Sequence, residues 1–194
     1  MAHRVDLFCE DVAHESFARA MLRRLASEEE VEVTPRAAST RFGIPRLKKE
    51  LTAYQRLLSL TAGLPDVLVI LVDANAVGVA ARRREVADIV EGSSFPSVVV
   101  GVPDPCVERW YLDDPQSFAE RFGQVERLPA DSPCDEWKRE LVDALERAGE
   151  IVITAGAEFA EEIVDGMELY RAGRADHSLR DFVDDLRAAF KRLP

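Results

Sequence analysis

Short apolar runs separated by longer periodic segments mark the first half of the chain. Residues 5–9, 67–72 and 97–102 are almost uninterrupted apolar runs. Continuous apolarity of this length is typical of strands that are buried on both faces of a parallel sheet. Residues 31–35 instead alternate apolar and polar positions and include a proline, which predicts a short strand at the edge of the sheet.

Helical periodicity fills the intervals between these strands. Apolar side chains recur on one helical face over residues 16–25, 46–60 and 79–90, so we expect one helix in each interval. The alternation of strands and helices indicates an α/β fold with right-handed crossovers. We therefore predict a sheet of about four mostly parallel strands with flanking helices.

The second half of the chain has helical patterns only, apart from residues 151–154, which fit either a short strand or an apolar loop. Ser178 and Asp181 have the spacing of a capping-box variant, which predicts the start of the last helix. Residues 1–103 would form the α/β layer, and residues 104–194 a helical extension packed on it as one structural unit. The predicted helices of this extension are 107–113, 115–122, 134–148, 156–169 and 178–193.

The net charge of the 194-residue chain is −11, from 25 basic and 36 acidic residues. Bulk electrostatic attraction to nucleic acid is therefore excluded, and any such contact requires a local basic patch. Two stretches offer one: Arg82 to Arg84, and the interval from Arg36 to Arg56, in which Glu50 is the single acid. The basic residues of that interval are Arg36, Arg41, Arg46, Lys48, Lys49 and Arg56. A solvated helix face explains this interval as well as a phosphate contact does.

No apolar run reaches the length of about 20 residues that a membrane-spanning helix needs. The first residues also lack the apolar core and cleavage site of a signal peptide, so we expect a cytoplasmic protein without membrane contact. The sequence leaves homo-oligomerisation open.

Cysteine and histidine are scarce and scattered. The chain has three cysteines, Cys9, Cys106 and Cys134. An odd number of cysteines without CxxC spacing argues against a disulfide framework and against a zinc site. A metal site built from histidines is also not expected from three distant residues: His3, His14 and His177. Carboxylates remain, so any metal held here is expected to be a hard, oxygen-preferring cation.

Acidic residues follow three of the predicted strands. Glu10 comes directly after the first strand, Asp73 follows the run 67–72 with Asn75 two residues on, and Glu108 follows the last strand after a short turn. The carboxyl ends of neighbouring parallel strands meet at one edge of the sheet, so we expect these side chains to lie close together. Ligands of open α/β sheets bind at this same edge. A bound Mg²⁺ or Mn²⁺ would relieve the repulsion between their charges. Taken singly, Asp73 could instead cap a helix and Glu10 could be a first-turn acid.

Glu10 after one strand and Asp73-Ala74-Asn75 after another resemble the Toprim pattern, which has a Glu at its first strand and a D-x-D at a later one. Beyond this general pattern, the chain resembles more closely a small, uncharacterised bacterial Toprim-like family that is often encoded beside an ATPase and is related to the overcoming-lysogenization-defect nucleases. The matching stretches are CEDVAHE at 9–15, ERWYLDD at 108–114 and SLRDF at 178–182.

This resemblance implies a Mg²⁺- or Mn²⁺-dependent nuclease that cleaves phosphodiester bonds of DNA or RNA. Glu10, Asp73, Asn75 and Glu108 would be the metal ligands, and Glu10 would also serve as general base or acid. Lys138, in a Trp-Lys pair that also looks like the family's, would stabilise charge on the phosphate, although a surface lysine is the plainer interpretation. The family context adds an ATPase partner and a role in phage defence.

Three positions depart from the family pattern: Asp11 replaces a Gly, His14 replaces a Glu, and Asn75 replaces the second Asp of D-x-D. An amide oxygen carries no charge and binds Mg²⁺ less well than a carboxylate does. The alternative hypothesis is therefore a catalytically weakened interaction subunit of an ATPase-containing complex. Trp110 and Trp137 are predicted to be packing anchors between the two halves of the chain.

Overall fold

The computed structural model describes residues 2–37, 43–60, 63–91, 93 and 95–193. Its centre is a four-stranded sheet in which every pair of neighbouring strands is parallel, in the order β2-β1-β3-β4. This confirms the predicted α/β class and places the second strand at an edge, as expected. The strands are β1 (His3–Cys9), β2 (Val33–Ala37), β3 (Val67–Leu71) and β4 (Val98–Gly101).

Helices flank both faces of the sheet and make up most of the second half of the chain. Short 3₁₀ turns follow β3 at Asn75–Val77 and precede the seventh helix at Ala157–Phe159. The α-helices of the described residues are α1 (Val12–Glu28), α2 (Gly43–Leu60), α3 (Val79–Val90), α4 (Val107–Leu112), α5 (Pro115–Phe122), α6 (Cys134–Arg147), α7 (Ala160–Gly166), α8 (Leu169–Ala175) and α9 (His177–Phe190).

The register of β1, β3 and β4 brings their carboxyl ends to one edge of the sheet. Cys9 lies opposite Leu71, and Leu71 lies opposite Gly101. The ladder continues one step further, because the Glu10 amide donates to the Leu71 carbonyl at 3.1 Å. Residues that directly follow β1, β3 and β4 are therefore neighbours in space.

Two apolar cores lie on opposite faces of the sheet. Leu7 and Val69 face the larger core with α1, α4 and α9, whereas Phe8, Leu68 and Ile70 face the smaller core with α2 and α3. Every residue of β3 is buried, as its continuous apolar run predicts. A strand covered on both faces gains transfer free energy from every side chain, about 25 cal/mol per Å² of apolar surface.

The prediction that the last strand is fully buried is wrong. Val98 and Val100 in β4 are only half-buried, whereas Val99 and Gly101 are buried. The physical reason is position: β4 is an edge strand, and the side chains on its α3 face receive less cover than those on the face packed against α9.

Aromatic stacking joins the helical half to the sheet half. The Trp110 ring lies 5.5 Å from Phe17 of α1 and 5.3 Å from Phe182 of α9, measured between ring centroids. Its Nε1 donates to the Ser178 hydroxyl at 3.0 Å in a fully buried position. The two stretches that carry the family resemblance in the second half thus contact one another through Trp110 and Ser178.

In the second half, one open alternative is resolved and two predictions need correction. Residues 151–154 form a loop, and the helix predicted over 156–169 is broken, because Met167 is extended and Glu168 caps a separate helix, α8, by accepting from two backbone amides. The last helix is capped by Asp176, which accepts from the Ser178 and Leu179 amides. Ser178 is therefore inside α9 rather than at its cap.

Candidate functional site

Glu10 and Asp73 meet at the carboxyl edge of the sheet. Glu10 directly follows β1, Asp73 lies two residues beyond β3, and the Asp73 amide donates to Glu10 Oε2 at 3.0 Å. Glu10 is half-buried and reaches solvent, whereas Asp73 is buried. The parallel register of β1 and β3 creates this pair, as the positions of the two acids in the sequence predict.

His14 completes the group. Asp11 caps α1 by accepting from the His14 amide at 3.1 Å, and its Oδ1 also lies 2.7 Å from His14 Nδ1. The other ring nitrogen, Nε2, lies 2.7 Å from Asp73 Oδ1, which also accepts from the Val107 amide at 3.0 Å. One ligand atom from each of Glu10, His14 and Asp73 lies within 4.8 Å of the other two.

Sequence reasoning missed the role of His14. The available signal was local: Asp11 and His14 stand three residues apart across a helix start, the spacing of an N-cap and its N3 residue. The contact to Asp73 spans 59 residues and depends on how α1 packs beside β3. The group contains a single histidine beside two carboxylates, so the prediction that the scattered histidines do not build a metal site stays a prediction.

Burial and hydrogen bonding shift the titration of this group. Burial favours the neutral form of Asp11, but its hydrogen bonds to His14 outweigh that and lower its pKa to about 2. Burial disfavours a charged imidazole, yet the charge of Asp73 and the two ring hydrogen bonds raise the pKa of His14 well above its usual value. Burial raises the pKa of Glu10.

A second group lies beside the first, at the starts of α4 and α6. Cys106 precedes α4, Glu108 lies in its first turn, and Cys134 is the first residue of α6. One ligand atom from each of these three lies within 4.8 Å of the other two. Glu108 is 3% exposed, and its Oε2 has no hydrogen-bond partner among the described residues.

Lys138, one helical turn after Cys134, supplies positive charge to this second group. Burial works against its charge, but Glu108 and Cys134 together raise the pKa of Lys138 above its usual value. Burial raises the pKa of Glu108. The contact with Cys134, followed by burial, raises the pKa of Cys106, and the same contact lowers that of Cys134.

The structure therefore divides the sequence-predicted residues between two adjoining groups. Glu10 and Asp73 are together, whereas Glu108 and Lys138 lie with the cysteines. Within the described part of the chain, Glu108 does not form a triad with Glu10 and Asp73 inside 4.8 Å. Asn75 is exposed, and its backbone amide donates to the Pro105 carbonyl at 3.1 Å.

The basic stretches are only partly directed to solvent. Arg82 turns inward and donates from Nε to the Asp73 carbonyl at 3.0 Å, and Lys48 lies 3.4 Å from Glu85. Arg46 pairs with Glu50 one turn away on α2. Arg41 lies outside the described residues. The exposed basic side chains of the two stretches are Arg36, Arg46, Lys49, Arg56 and Arg84.

The donor chemistry of the first group fits a hard divalent cation. Two carboxylates, from Glu10 and Asp73, suit Mg²⁺ or Mn²⁺, which take one or two protein carboxylates plus water and substrate oxygens. His14 does not add a nitrogen ligand in this arrangement, because both of its ring nitrogens are hydrogen-bonded to carboxylates and its raised pKa favours the protonated ring.

None of the described helices combines the length and the apolarity that are needed to cross a bilayer. Comparison of the chain with models of protein families gives no match, and comparison with curated proteins and with solved structures gives none either.

Proposed function

We propose that this chain is a Mg²⁺- or Mn²⁺-dependent phosphodiesterase of the nuclease type, which cleaves DNA or RNA together with a partner protein. The observation that carries the proposal is the gathering of Glu10, His14 and Asp73 within 4.8 Å at the carboxyl edge of a parallel sheet. Ligands of open α/β folds bind at this edge. The resemblance to Toprim-like proteins supplies the reaction class, the ATPase partner and the context of phage defence.

Each residue has a task in this proposal. Glu10 and Asp73 would hold the cation, which when bound polarises the phosphodiester and acidifies a water molecule. Glu10 reaches solvent and would exchange a proton with the attacking or leaving oxygen. The Val107 amide and His14 fix the Asp73 carboxylate in one orientation, so that the site needs little rearrangement.

Lys138 and the exposed basic residues would handle the charge of the substrate. Lys138 lies close enough to Glu108 and Asp73 for their charges to raise its pKa, and its ammonium group would stabilise negative charge on the phosphate. Lys49 of α2 and Arg84 of α3 are exposed and belong to the basic stretches that would contact the phosphate backbone. A local patch is required because the whole chain has a net charge of −11.

Cleavage of radiolabelled single-stranded and double-stranded DNA and RNA, with Mg²⁺, with Mn²⁺ and with EDTA, tests the proposal. We expect metal-dependent cleavage that Glu10→Gln and Asp73→Asn each reduce by at least about 100-fold, since each removes a ligand charge. The matched control is Glu146→Gln, an exposed acid of α6, which should retain wild-type activity. Cleavage that survives both site substitutions would contradict the proposal.

A second candidate function, a non-catalytic interaction subunit, is favoured by the hydrogen bonding of His14. Its ring lies between the carboxylates of Asp11 and Asp73, so Asp73 Oδ1 already accepts from His14 and Val107 without any cation. Replacing the imidazole by the carboxylate that the related family has there discriminates the two functions. If the wild type is inactive and His14→Glu gains Mn²⁺-dependent cleavage while His14→Gln does not, this candidate is correct.

A further inference from the structure

We infer that Cys106, Cys134 and Glu108 form a second metal site, which binds a thiophilic cation of the Zn²⁺ class. This site is distinct from the group around Glu10 and Asp73, and its ligands are soft sulfur atoms rather than carboxylates alone. The inference does not depend on the proposed nuclease activity.

The ligand spacing fits a tetrahedral ion. With Zn–S bonds of about 2.3 Å, two sulfur atoms on one ion stand about 3.8 Å apart, and a sulfur and an oxygen stand slightly closer. The two sulfurs and a Glu108 carboxylate oxygen already lie within 4.8 Å of one another. Each ligand atom therefore needs to move by at most about 1 Å to reach the distances of a tetrahedral site. Three protein ligands leave the fourth position for water, as in catalytic zinc sites.

Glu108 provides an independent indication that a ligand belongs here. Its side chain is almost completely buried, yet Oε2 has no hydrogen-bond partner among the described residues. Leaving a buried carboxylate oxygen without a partner costs free energy that a bound cation would recover. The Cys106 thiol also donates to the Cys134 carbonyl, at a distance of 3.8 Å.

The charges balance when the ion is bound. Two thiolates and one carboxylate contribute three negative charges, and the divalent ion together with the Lys138 ammonium contributes three positive ones. Binding releases the two thiol protons to the buffer, so that affinity rises with pH. Cys134 and Lys138 are only half-buried and therefore give an ion a path from solvent to the buried Cys106.

The spacing of the two cysteines in the sequence does not predict this metal site. Cys106 and Cys134 are 28 residues apart and lie on different helices, so that neither forms part of a CxxC motif. The packing of α4 against α6 brings the two residues together. The third cysteine, Cys9, lies in β1 and is buried in the apolar core, which makes it a matched internal control.

Titration of Co²⁺ into the reduced, metal-free full-length protein tests the inference, because thiolate ligation of tetrahedral Co²⁺ gives a ligand-to-metal charge-transfer band. We expect this band to saturate at one ion per chain and to be displaced by one equivalent of Zn²⁺. Cys106→Ser and Cys134→Ser should abolish it, and Glu108→Gln should weaken Co²⁺ binding at least about tenfold. Cys9→Ala should leave the band unchanged.

A second measurement needs no variant. In the wild-type protein, stoichiometric Zn²⁺ should slow alkylation of Cys134 by iodoacetamide at least about tenfold, read by mass spectrometry. Glu10→Gln and Asp73→Asn should retain the charge-transfer band even if they abolish cleavage, so that the two proposals fail separately. The inference would be overturned if the reduced wild type gives no thiolate charge-transfer band with Co²⁺. The same holds if the chain is isolated as a Cys106–Cys134 disulfide and gives no band after reduction.

Discussion

Asp73 and Asp114 are buried acidic side chains whose hydrogen-bond donors lie far away in sequence. Asp73 accepts from His14 and Val107, and Asp114 accepts from Arg171 Nε at 2.6 Å and from the Glu168 amide at 2.7 Å. A charged group that is removed from water must find such hydrogen bonds, since otherwise it becomes neutral. For Asp114, these contacts favour the ionised carboxylate in the fold.

Some of the residues at the carboxyl edge of the sheet can be predicted from the sequence alone. Glu10 and Asp73 could be predicted because both follow apolar runs, and strand ends meet in a parallel sheet. The contribution of His14 could not, since its ring contacts Asp73 across 59 residues and the sequence does not state how α1 is rotated on the sheet. Glu108 is expected from the sequence to share a cation with Glu10 and Asp73, whereas it lies in a group with Cys106 and Cys134, which the sequence did not predict.

Acid stability should depend on Asp114. Hydrogen bonds to Arg171 and to backbone amides outweigh its burial and lower its pKa to about 2. A lowered pKa contributes stability that is complete above the unfolded value near 4 and is lost as pH falls toward 2. We expect Asp114→Asn to lower the free energy of unfolding by about 2 kcal/mol at pH 7, and by progressively less below pH 4.

Urea unfolding followed by circular dichroism between pH 2 and 7 measures this difference. Asp143→Asn, at an exposed position on α6, is the control and should change the stability little at any pH. A stability difference for Asp114→Asn that stays constant down to pH 2 would contradict the assignment.

Trp110 should contribute to stability through a polar contact as well as through stacking. Trp110→Phe retains an aromatic ring between Phe17 and Phe182 but loses the hydrogen bond to Ser178 and part of the ring volume. We expect a loss of about 2 kcal/mol in the free energy of unfolding. Tyr170→Phe, at a residue that is 73% exposed, is the matched aromatic control and should be neutral in the same urea titration.

At the scale of secondary-structure elements, the sequence predicts the elements that have a regular hydrophobic period, but it does not predict the break in the helix expected over 156–169. The strand β3 and the helix α3 were predicted to within one residue, because each has a single unbroken period. The predicted helix over 156–169 is instead divided, since Arg24 of α1 donates to the Met167 carbonyl at 2.6 Å and fixes an extended residue there. Such a tertiary contact leaves no periodic signal in the sequence.

The packing of β4 against α9 should be sensitive to a single methyl group. A Cβ at Gly101 would stand 2.2 Å from Leu71 Cδ1 and 2.8 Å from Phe182 Cδ2. Gly101→Ala therefore forces the Leu71 and Phe182 side chains to shift within a closely packed core, and we expect a loss of about 1–3 kcal/mol in the free energy of unfolding.

The matched control is Gly166→Ala at the end of α7, where a new Cβ would have no neighbour within 4 Å. This variant should be neutral, or more stable by up to about 1 kcal/mol because alanine favours the helix. Thermal unfolding of the two variants gives the comparison. Equal melting temperatures for both would show that β4 and α9 are not closely packed.

At the scale of the whole molecule, the fold places two metal-competent groups of different chemistry side by side. The carboxylate group follows β1 and β3, the cysteine group begins α4 and α6, and the Val107 amide connects them through its hydrogen bond to Asp73. The acidic net charge of −11 concentrates cations at the surface in general. Selective cation binding must therefore be distinguished from this general attraction by variants that change one ligand at a time.

Calorimetric titration of Mn²⁺ into the Cys106→Ser/Cys134→Ser double variant tests the central claim, that Glu10 and Asp73 hold a divalent cation, without interference from the thiols. We predict one saturable site per chain, retained in a background with Glu146→Gln and lost when Glu10→Gln or Asp73→Asn is added, with folding verified by circular dichroism. Mn²⁺ binding that is absent, or that persists unchanged after both ligand substitutions, would contradict the account.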